Sequence, residues 1–124
     1  MTTTIAMTSI DCAEVGPVAR FWAEFLTLDV LATDEFENYA MLKGPDGPAL
    51  GFGKVEGFVA PGWPNEHGSK QFHLDVAVDD IPAAEARAVD LGATLAEPQP
   101  GDTWRVLLDP AGHPFCLTDA ANWG

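Results

Sequence analysis

The chain has 124 residues, 47% of them hydrophobic, a length and composition suited to one globular domain with its own core. Its formal net charge of −13 repels phosphate backbones and anionic membrane surfaces, which argues against a nucleic-acid or membrane partner. This acidity is typical of a solvated surface that keeps a protein in solution.

The cysteines and the N-terminus indicate the compartment. Cys12 and Cys116 are the only two cysteines, and they lack the dense spacing of a secreted disulfide framework, which indicates reduced thiols. The first residues have neither the basic start nor the apolar stretch of a signal peptide, and no apolar run approaches the ~20 residues of a membrane span. We therefore expect a cytoplasmic protein.

The first half of the chain predicts a strand, a helix and three more strands. Residues 5–10 mix β-branched and apolar types, which favours a strand. Over residues 14–26 the apolar positions recur at helical spacing, and Pro17 falls in the first turn, where it is tolerated. Polar or Gly/Pro turn signals then separate three predicted strands at residues 28–32, 36–42 and 49–55. Residues 56–70, rich in Pro and Gly, predict a loop.

The second half repeats this order. A strand over residues 71–78 leads into a helix that begins after Asp80, a helix-capping residue, and ends at Gly92. A short strand follows the helix. Two apolar strands are then predicted at residues 104–108 and 114–118, and a turn at residues 109–113 connects them.

Alternation along the strand at residues 71–78 predicts two different faces. Four apolar residues should face the helix: Phe72, Leu74, Val76 and Val78. The opposite face is polar and should line something wet: Gln71, His73, Asp75 and Ala77.

The two halves agree in order and spacing, which suggests two copies of a βαβββ unit. Met7 precedes Glu14 by the same interval that separates His73 from Asp80. We place one module at about residues 4–56, a linker at about 57–69 and the second module at about 70–119, within a single domain over residues 1–124.

Particular residues resemble a known superfamily. They are Phe21-Trp22, the run Phe72-His73-Leu74-Asp75, and the stretch from Trp104 to Leu117. The chain resembles the small glyoxalase-like branch of the vicinal oxygen chelate superfamily, which includes glyoxalases, bleomycin-resistance proteins and extradiol dioxygenases. The resemblance implies an α+β fold, in which two βαβββ modules form one curved mixed sheet cup with helices on the outside, and it implies a homodimer.

The resemblance also implies a place for a divalent metal. The family's ligand positions fall on Met7, Gly51, His73 and Cys116. Only His73 is a usual ligand of the family, and Cys116 stands where a Glu is expected. Because Mg²⁺ and Mn²⁺ prefer oxygen ligands, we name no cofactor; His73 with Cys116 would instead suit Zn²⁺ or Cu(I), but two ligands fall short of a stable zinc site.

Two residues have alternative roles in chemistry. His73, on the same strand face as Asp75, would act as a general acid or base, or simply form hydrogen bonds in a polar cup. Cys116 would be a nucleophile activated by imidazole, or an inert buried thiol.

The larger side chains also have alternatives. Trp22 and Trp104 would clasp a flat ligand or belong to the core. Trp63, in a loop, is a candidate for a lid or a dimer contact. Arg105 would attract a carboxylate ligand or pair with a neighbouring acid.

Our first hypothesis is a protein that binds a small organic molecule in the cup without a tightly held metal. Its ligand-binding residues would be Met7, Gly51, His73, Asp75, Trp104, Arg105 and Cys116. The rival hypothesis is a metal-dependent lyase, isomerase or dioxygenase in which His73 is catalytic. A third is a degenerate domain kept as a dimeric interaction module.

Overall fold

The computed structural model describes residues 2–67 and 71–124. The chain divides into two compact units, Met1–Val59 and Ala60–Gly124, here called unit 1 and unit 2. Each unit contains one α-helix and four strands in the order βαβββ. The predicted α+β fold built from two such modules is therefore confirmed.

Unit 1 consists of a four-stranded mixed sheet with one helix. Its elements are β1 Met7–Cys12, α1 Val15–Leu26, β2 Asp29–Thr33, β3 Tyr39–Lys43 and β4 Ala49–Lys54. The strand order is β1-β4-β3-β2, and β1 runs parallel to β4 while the other neighbours are antiparallel. The crossover helix α1 packs on β3 and β4.

Helix α1 forms because its apolar residues repeat at helical spacing and cover the sheet. Trp22 is buried, as one of its two predicted roles required, and its ring meets that of Phe21 edge-on at 5.1 Å between centroids. The helix ends at Thr27, which adopts the left-handed conformation with φ 55°.

Unit 2 repeats this topology. Its elements are β5 Leu74–Val78, α2 Ile81–Leu91, β6 Thr94–Leu95, β7 Arg105–Leu108, β8 Pro114–Asp119 and a closing 3₁₀ helix, Ala120–Trp123. The strand order is β5-β8-β7-β6, with β5 parallel to β8. The 3₁₀ helix had no counterpart in the sequence prediction.

Both predicted ends of α2 are confirmed. The Asp80 side chain accepts a hydrogen bond from the Ala83 backbone N–H at 3.0 Å, and Gly92 follows the helix with φ 122°. No helix in the described ranges has the length and apolar content needed to cross a bilayer.

Three aromatic residues lie outside the strands predicted for them. Phe36 belongs to the β2–β3 turn, with φ 61°, and Trp104 precedes β7. Phe72 precedes β5 and is fully exposed, so the prediction that it faces the helix is wrong. From Leu74 onward the expected alternation holds, because Leu74, Val76 and Val78 are less exposed than their neighbours. Part of the predicted loop, residues 68–70, lies outside the described residues.

Candidate functional site

The parallel pairing of β5 with β8 places an acid beside a thiol. Asp75 and Cys116 are register partners on these two strands. Since neighbouring strands lie about 4.8 Å apart and paired side chains project from the same face, the carboxylate and the thiol lie side by side. Cys116 is buried, whereas the Asp75 side chain is 44% exposed.

His73, two residues before Asp75, completes this group. Its Nδ1 lies 2.9 Å from the Gln71 carbonyl oxygen, and its Nε2 lies 3.3 Å from Asp75 Oδ1. A carbonyl only accepts hydrogen bonds, so Nδ1 carries the proton and donates it. The Trp63 ring stacks on the imidazole at 4.8 Å between centroids, which fixes the plane of the ring.

These side chains border a cavity of about 330 Å³ in unit 2, which we call the tryptophan cavity. Three indoles line it, from Trp63, Trp104 and Trp123. The polar lining residues are His73, Asp75, Thr103, Thr118 and Asn122, with the thiol of Cys116. None of the described lining residues is a lysine or an arginine.

The Cys116 thiol is not activated as a nucleophile. Burial, followed by the negative charge of Asp75 and a hydrogen bond between the two side chains, raises the pKa of Cys116 to about 12. The neutral thiol therefore dominates at pH 7 when no cation lies beside it. Because the thiolate is the reactive form, this environment favours the inert alternative over a catalytic nucleophile.

The three tryptophans of the cavity compare differently with the sequence prediction. Trp63, expected in a lid or a dimer contact, is 9% exposed and packs in a small core cluster with Ala96, Val106 and Cys116. Trp104 is 36% exposed and lies in the cavity wall rather than in the core. Trp123 was not considered in the sequence prediction. Its Nε1–H lies 3.4 Å from Thr118 Oγ1, to which it donates.

The other predicted site residues lie elsewhere. The Arg105 guanidinium pairs with Glu85 of α2, with 2.7 Å between Nε and Oε1, and Arg105 does not line the tryptophan cavity. Met7 and Gly51 belong to unit 1, where the Met7 side chain covers Gly51: a Cβ on Gly51 would lie 2.7 Å from Met7 Sδ. Of the predicted residues, the cavity thus brings together His73, Asp75, Trp104 and Cys116.

The four positions that the resemblance assigns to a metal do not fit a hard divalent ion. Gly51 has no side-chain donor, Met7 offers only a thioether, and Cys116 offers sulfur in place of a carboxylate. A cluster of donors does exist within unit 2, from His73, Asp75 and Cys116, whose ligand atoms all lie within 4.8 Å of one another. Asp75 is not among the four positions.

Comparison with known proteins identifies the family of the sequence and structures with a similar fold. Residues 7–118 match the family model of a glyoxalase-like domain. No curated protein matches the chain in sequence.

Similar solved structures share the fold. A possible glyoxalase from Bacillus cereus is 16% identical, with a TM-score of 0.70 over 94% of this chain and 99% of that one. A glyoxalase/bleomycin resistance protein/dioxygenase family enzyme from Burkholderia phytofirmans PsJN is 16% identical, with a TM-score of 0.68 over 93% and 97%. The trypanothione-dependent glyoxalase I of Leishmania major is 16% identical, with a TM-score of 0.68 over 98% and 90%. At this identity the likeness shows the fold alone.

Proposed function

Because the chain belongs to the glyoxalase-like domain family of the vicinal oxygen chelate superfamily, we propose that it binds a small, flat organic molecule in the tryptophan cavity. The observation that carries the proposal is the convergence of three indoles on one cavity of unit 2. Indoles provide large, rigid apolar surfaces that stack on planar ligands.

The volume of the cavity limits the ligand. Pockets for small molecules enclose roughly 300–1,000 Å³, so a cavity of about 330 Å³ lies at the small end of that range. We therefore expect a ligand of one or two rings. A larger molecule would extend past Trp123, which is 64% exposed.

The charge of the lining also selects among ligands. The Asp75 carboxylate is half-exposed, and the described lining residues include no lysine or arginine to neutralise an anion. In metal-free protein we therefore expect uncharged or cationic aromatic compounds to bind more tightly than the corresponding carboxylates.

A titration followed by tryptophan fluorescence tests this proposal. Chelator-treated protein is titrated with matched neutral, amine and carboxylate compounds of one and two rings, and calorimetry confirms each affinity. Trp104→Ala should weaken binding about tenfold, since a lost aromatic contact is worth roughly 0.5–1.5 kcal/mol beyond its buried area. The matched control is Tyr39→Ala, an exposed aromatic residue of unit 1. Fluorescence and heats that stay flat across the whole panel would refute the proposal.

A second candidate function is a metal-dependent lyase, isomerase or dioxygenase reaction that uses His73. The observation that favours it is the pairing of His73 with Asp75 at the cavity, because a carboxylate can orient an imidazole. Turnover of hemithioacetal or catechol substrates that disappears in His73→Ala would support this candidate. Turnover absent with every added metal would count against it.

We also propose that the chain forms a homodimer, as the resemblance to the superfamily implies. Strand β2 is an outer strand of its sheet and exposes Val30 and Leu31, an apolar edge that a second chain would cover. Sedimentation should give twice the 13.2 kDa of one chain. A mass of one chain at micromolar concentration would refute the dimer.

A further inference from the structure

We propose that His73, Asp75 and Cys116 form a binding site for Zn²⁺ that is contained within unit 2. This site shares His73 and Cys116 with the metal positions implied by the family resemblance, but it needs neither Met7 nor Gly51 and takes Asp75 as its third donor. It also does not depend on the proposed organic ligand, because all three donors belong to the protein.

The spacing of the donor atoms fits zinc. Zn–N and Zn–O bonds measure about 2.0–2.2 Å, and in a tetrahedron with such bonds an N ligand and an O ligand lie about 3.3 Å apart. His73 Nε2 and Asp75 Oδ1 are 3.3 Å apart. The longer Zn–S bond places a sulfur somewhat farther from both, and the thiol of Cys116 lies within 4.8 Å of them.

The histidine has the orientation of a metal ligand. Its Nδ1–H donates to the Gln71 carbonyl, so in the neutral imidazole the Nε2 lone pair points toward the Asp75 carboxylate. Two acceptors at this distance repel each other unless a proton or a cation lies between them. Histidine ligands of metals characteristically donate their second N–H to a carbonyl or a carboxylate in this way.

The chemical nature of the donors selects the ion. Thiolate, imidazole and carboxylate together suit Zn²⁺, whereas Mg²⁺ and Mn²⁺ prefer sites made of oxygen. The donors are also held in place: Cys116 and Asp75 lie on paired strands, and Trp63 stacks on His73. Because all three border the tryptophan cavity, a fourth ligand has room to approach from it.

The first experiment measures metal binding to the whole chain without any organic compound. Protein freed of metal by chelator is titrated with Zn²⁺, Mg²⁺ and Mn²⁺ by calorimetry, and its bound metal is counted by mass spectrometry after dialysis. We expect one Zn²⁺ per chain and no retained Mg²⁺ or Mn²⁺. Titration with Co²⁺ should produce the thiolate-to-cobalt charge-transfer band that reports a sulfur ligand.

Variants then assign the ligands. Asp75→Asn and Cys116→Ser nearly preserve side-chain volume, and each should weaken Zn²⁺ binding at least about 100-fold, because even partners outside the ligand shell contribute 10–100-fold. Cys116→Ser should also remove the cobalt charge-transfer band. Cys12→Ser, a buried thiol of unit 1, and His67→Ala, an exposed imidazole, are matched controls that should bind Zn²⁺ like the wild type. Circular dichroism verifies that each variant is folded.

Several results would overturn the site. These are Zn²⁺ far below one equivalent, unchanged affinity in folded Asp75→Asn and Cys116→Ser, or equal retention of Mg²⁺. Failure of the zinc site can be distinguished from failure of the proposed function. The organic ligands are titrated into chelator-treated protein, and the metal ions are titrated without any organic ligand.

Discussion

At the scale of single residues, Gly101 leaves the space that the Trp104 ring occupies. A Cβ on Gly101 would lie 2.3 Å from the Trp104 ring, which is too close for two non-bonded carbons, so one of the two groups would have to move. The backbone of Gly101 does not have a positive φ, so alanine is excluded there by the indole and not by conformational strain.

We therefore expect Gly101→Ala to displace Trp104 from the cavity wall. Affinity for the flat ligand should fall about five- to tenfold, and the fluorescence of the free protein should change. Gly53→Ala, where a Cβ has open space, is the control and should bind normally. Unchanged affinity in Gly101→Ala would show that the position of Trp104 does not matter for binding.

Much of the site on unit 2 was predictable from the residues that carry polar chemistry. Period-two alternation placed His73 on the face of Asp75, and the resemblance to the superfamily singled out Cys116. Trp63 and Trp123 were not predictable, because neither lies in a periodic segment and their positions depend on packing between distant parts of the chain. For the same reason the ion pair of Arg105 with Glu85 remained only one of two alternatives.

At the scale of elements, the edge of the second sheet depends on one side chain. Strand β6 has only two residues. Beyond its end, the side-chain amide of Gln99 forms hydrogen bonds with backbone groups of β7 and of the segment that follows β6. This amide donates to the carbonyls of Ala96 and Val106 and accepts from the Val106 N–H, at 2.8–2.9 Å. Val106 is completely buried, and its carbonyl also accepts a hydrogen bond from the Ala96 N–H. The Val106 N–H donates to Gln99 and would lose that partner without the side chain.

Gln99→Ala should lower the free energy of unfolding by about 2 kcal/mol, because the buried Val106 N–H loses its hydrogen bond to Gln99. Urea unfolding followed by circular dichroism measures the change. Gln99→Glu keeps the acceptor for Val106 but turns carboxylate oxygens toward two carbonyls, so it should not restore stability at pH 7. An unfolding midpoint of Gln99→Ala equal to that of the wild type would contradict this role.

The turn between β2 and β3 depends on Asp34. Its carboxylate accepts hydrogen bonds from three backbone N–H groups that follow it, those of Glu37, Asn38 and Tyr39. These bonds hold Glu35 and Phe36, both with positive φ, in a conformation that costs a non-glycine residue roughly 1–2 kcal/mol. The guanidinium of Arg20 lies 4.6 Å from the centre of the Phe36 ring.

Asp34 should therefore make unfolding dependent on pH. The hydrogen bond from the Asn38 backbone lowers the pKa of Asp34 below 3.8, with further bonds from the Asn38 side chain and Tyr39. A carboxyl whose pKa is lowered in the folded state stabilises that state above its unfolded pKa, and the contribution is lost as pH falls through the folded value.

The comparison that tests this prediction is Asp34→Ala against Asp34→Asn. At pH 7 the alanine variant should have a lower urea midpoint than the wild type, and the gap should narrow as pH falls below 3.8. Asparagine keeps one acceptor oxygen without a charge. The urea midpoint of Asp34→Asn should therefore lie less far below that of the wild type at pH 7, and this difference should also shrink as pH falls. A gap that is constant from pH 7 to pH 3 would rule out an ionised cap.

The regular elements were largely predictable, and the turns were not. Helices α1 and α2 and strands β4 and β8 lie within one residue of the predicted bounds, because apolar period and capping residues are local signals. The predicted strand at residues 36–42 begins too early, since hydrogen bonds to Asp34 outweigh the strand preference of Phe36. The strand predicted to begin at Gln71 likewise starts at Leu74, and the Gln71 carbonyl instead accepts a hydrogen bond from the His73 side chain.

At the scale of the whole molecule, the charge opposes folding. The net charge of −13 over 124 residues means that exposed carboxylates repel one another more strongly in the folded chain than in the expanded one. Salt screens this repulsion, with a Debye length of about 10 Å at 0.1 M.

We expect the melting temperature to rise by several degrees between 10 mM and 200 mM sodium chloride in calorimetry. Choline chloride at the same ionic strength should have the same effect, because screening depends on charge and not on the identity of the cation. A melting temperature that does not respond to either salt would show that the acidic surface does not limit stability.

Each sheet pairs its first strand with its last, and this pairing has a consequence for how the protein acquires its structure. The Cys12 thiol donates a hydrogen bond from β1 to the Gly53 carbonyl of β4, 41 residues away in sequence. In unit 2, β5 likewise pairs with β8, the last strand of its sheet. Contacts between distant residues make folding slow, and neither sheet is complete until its final strand has left the ribosome. Pulse-labelled hydrogen exchange during refolding should therefore show β1 and β4 gaining protection together. Protection of β1 well before β4 would contradict this order.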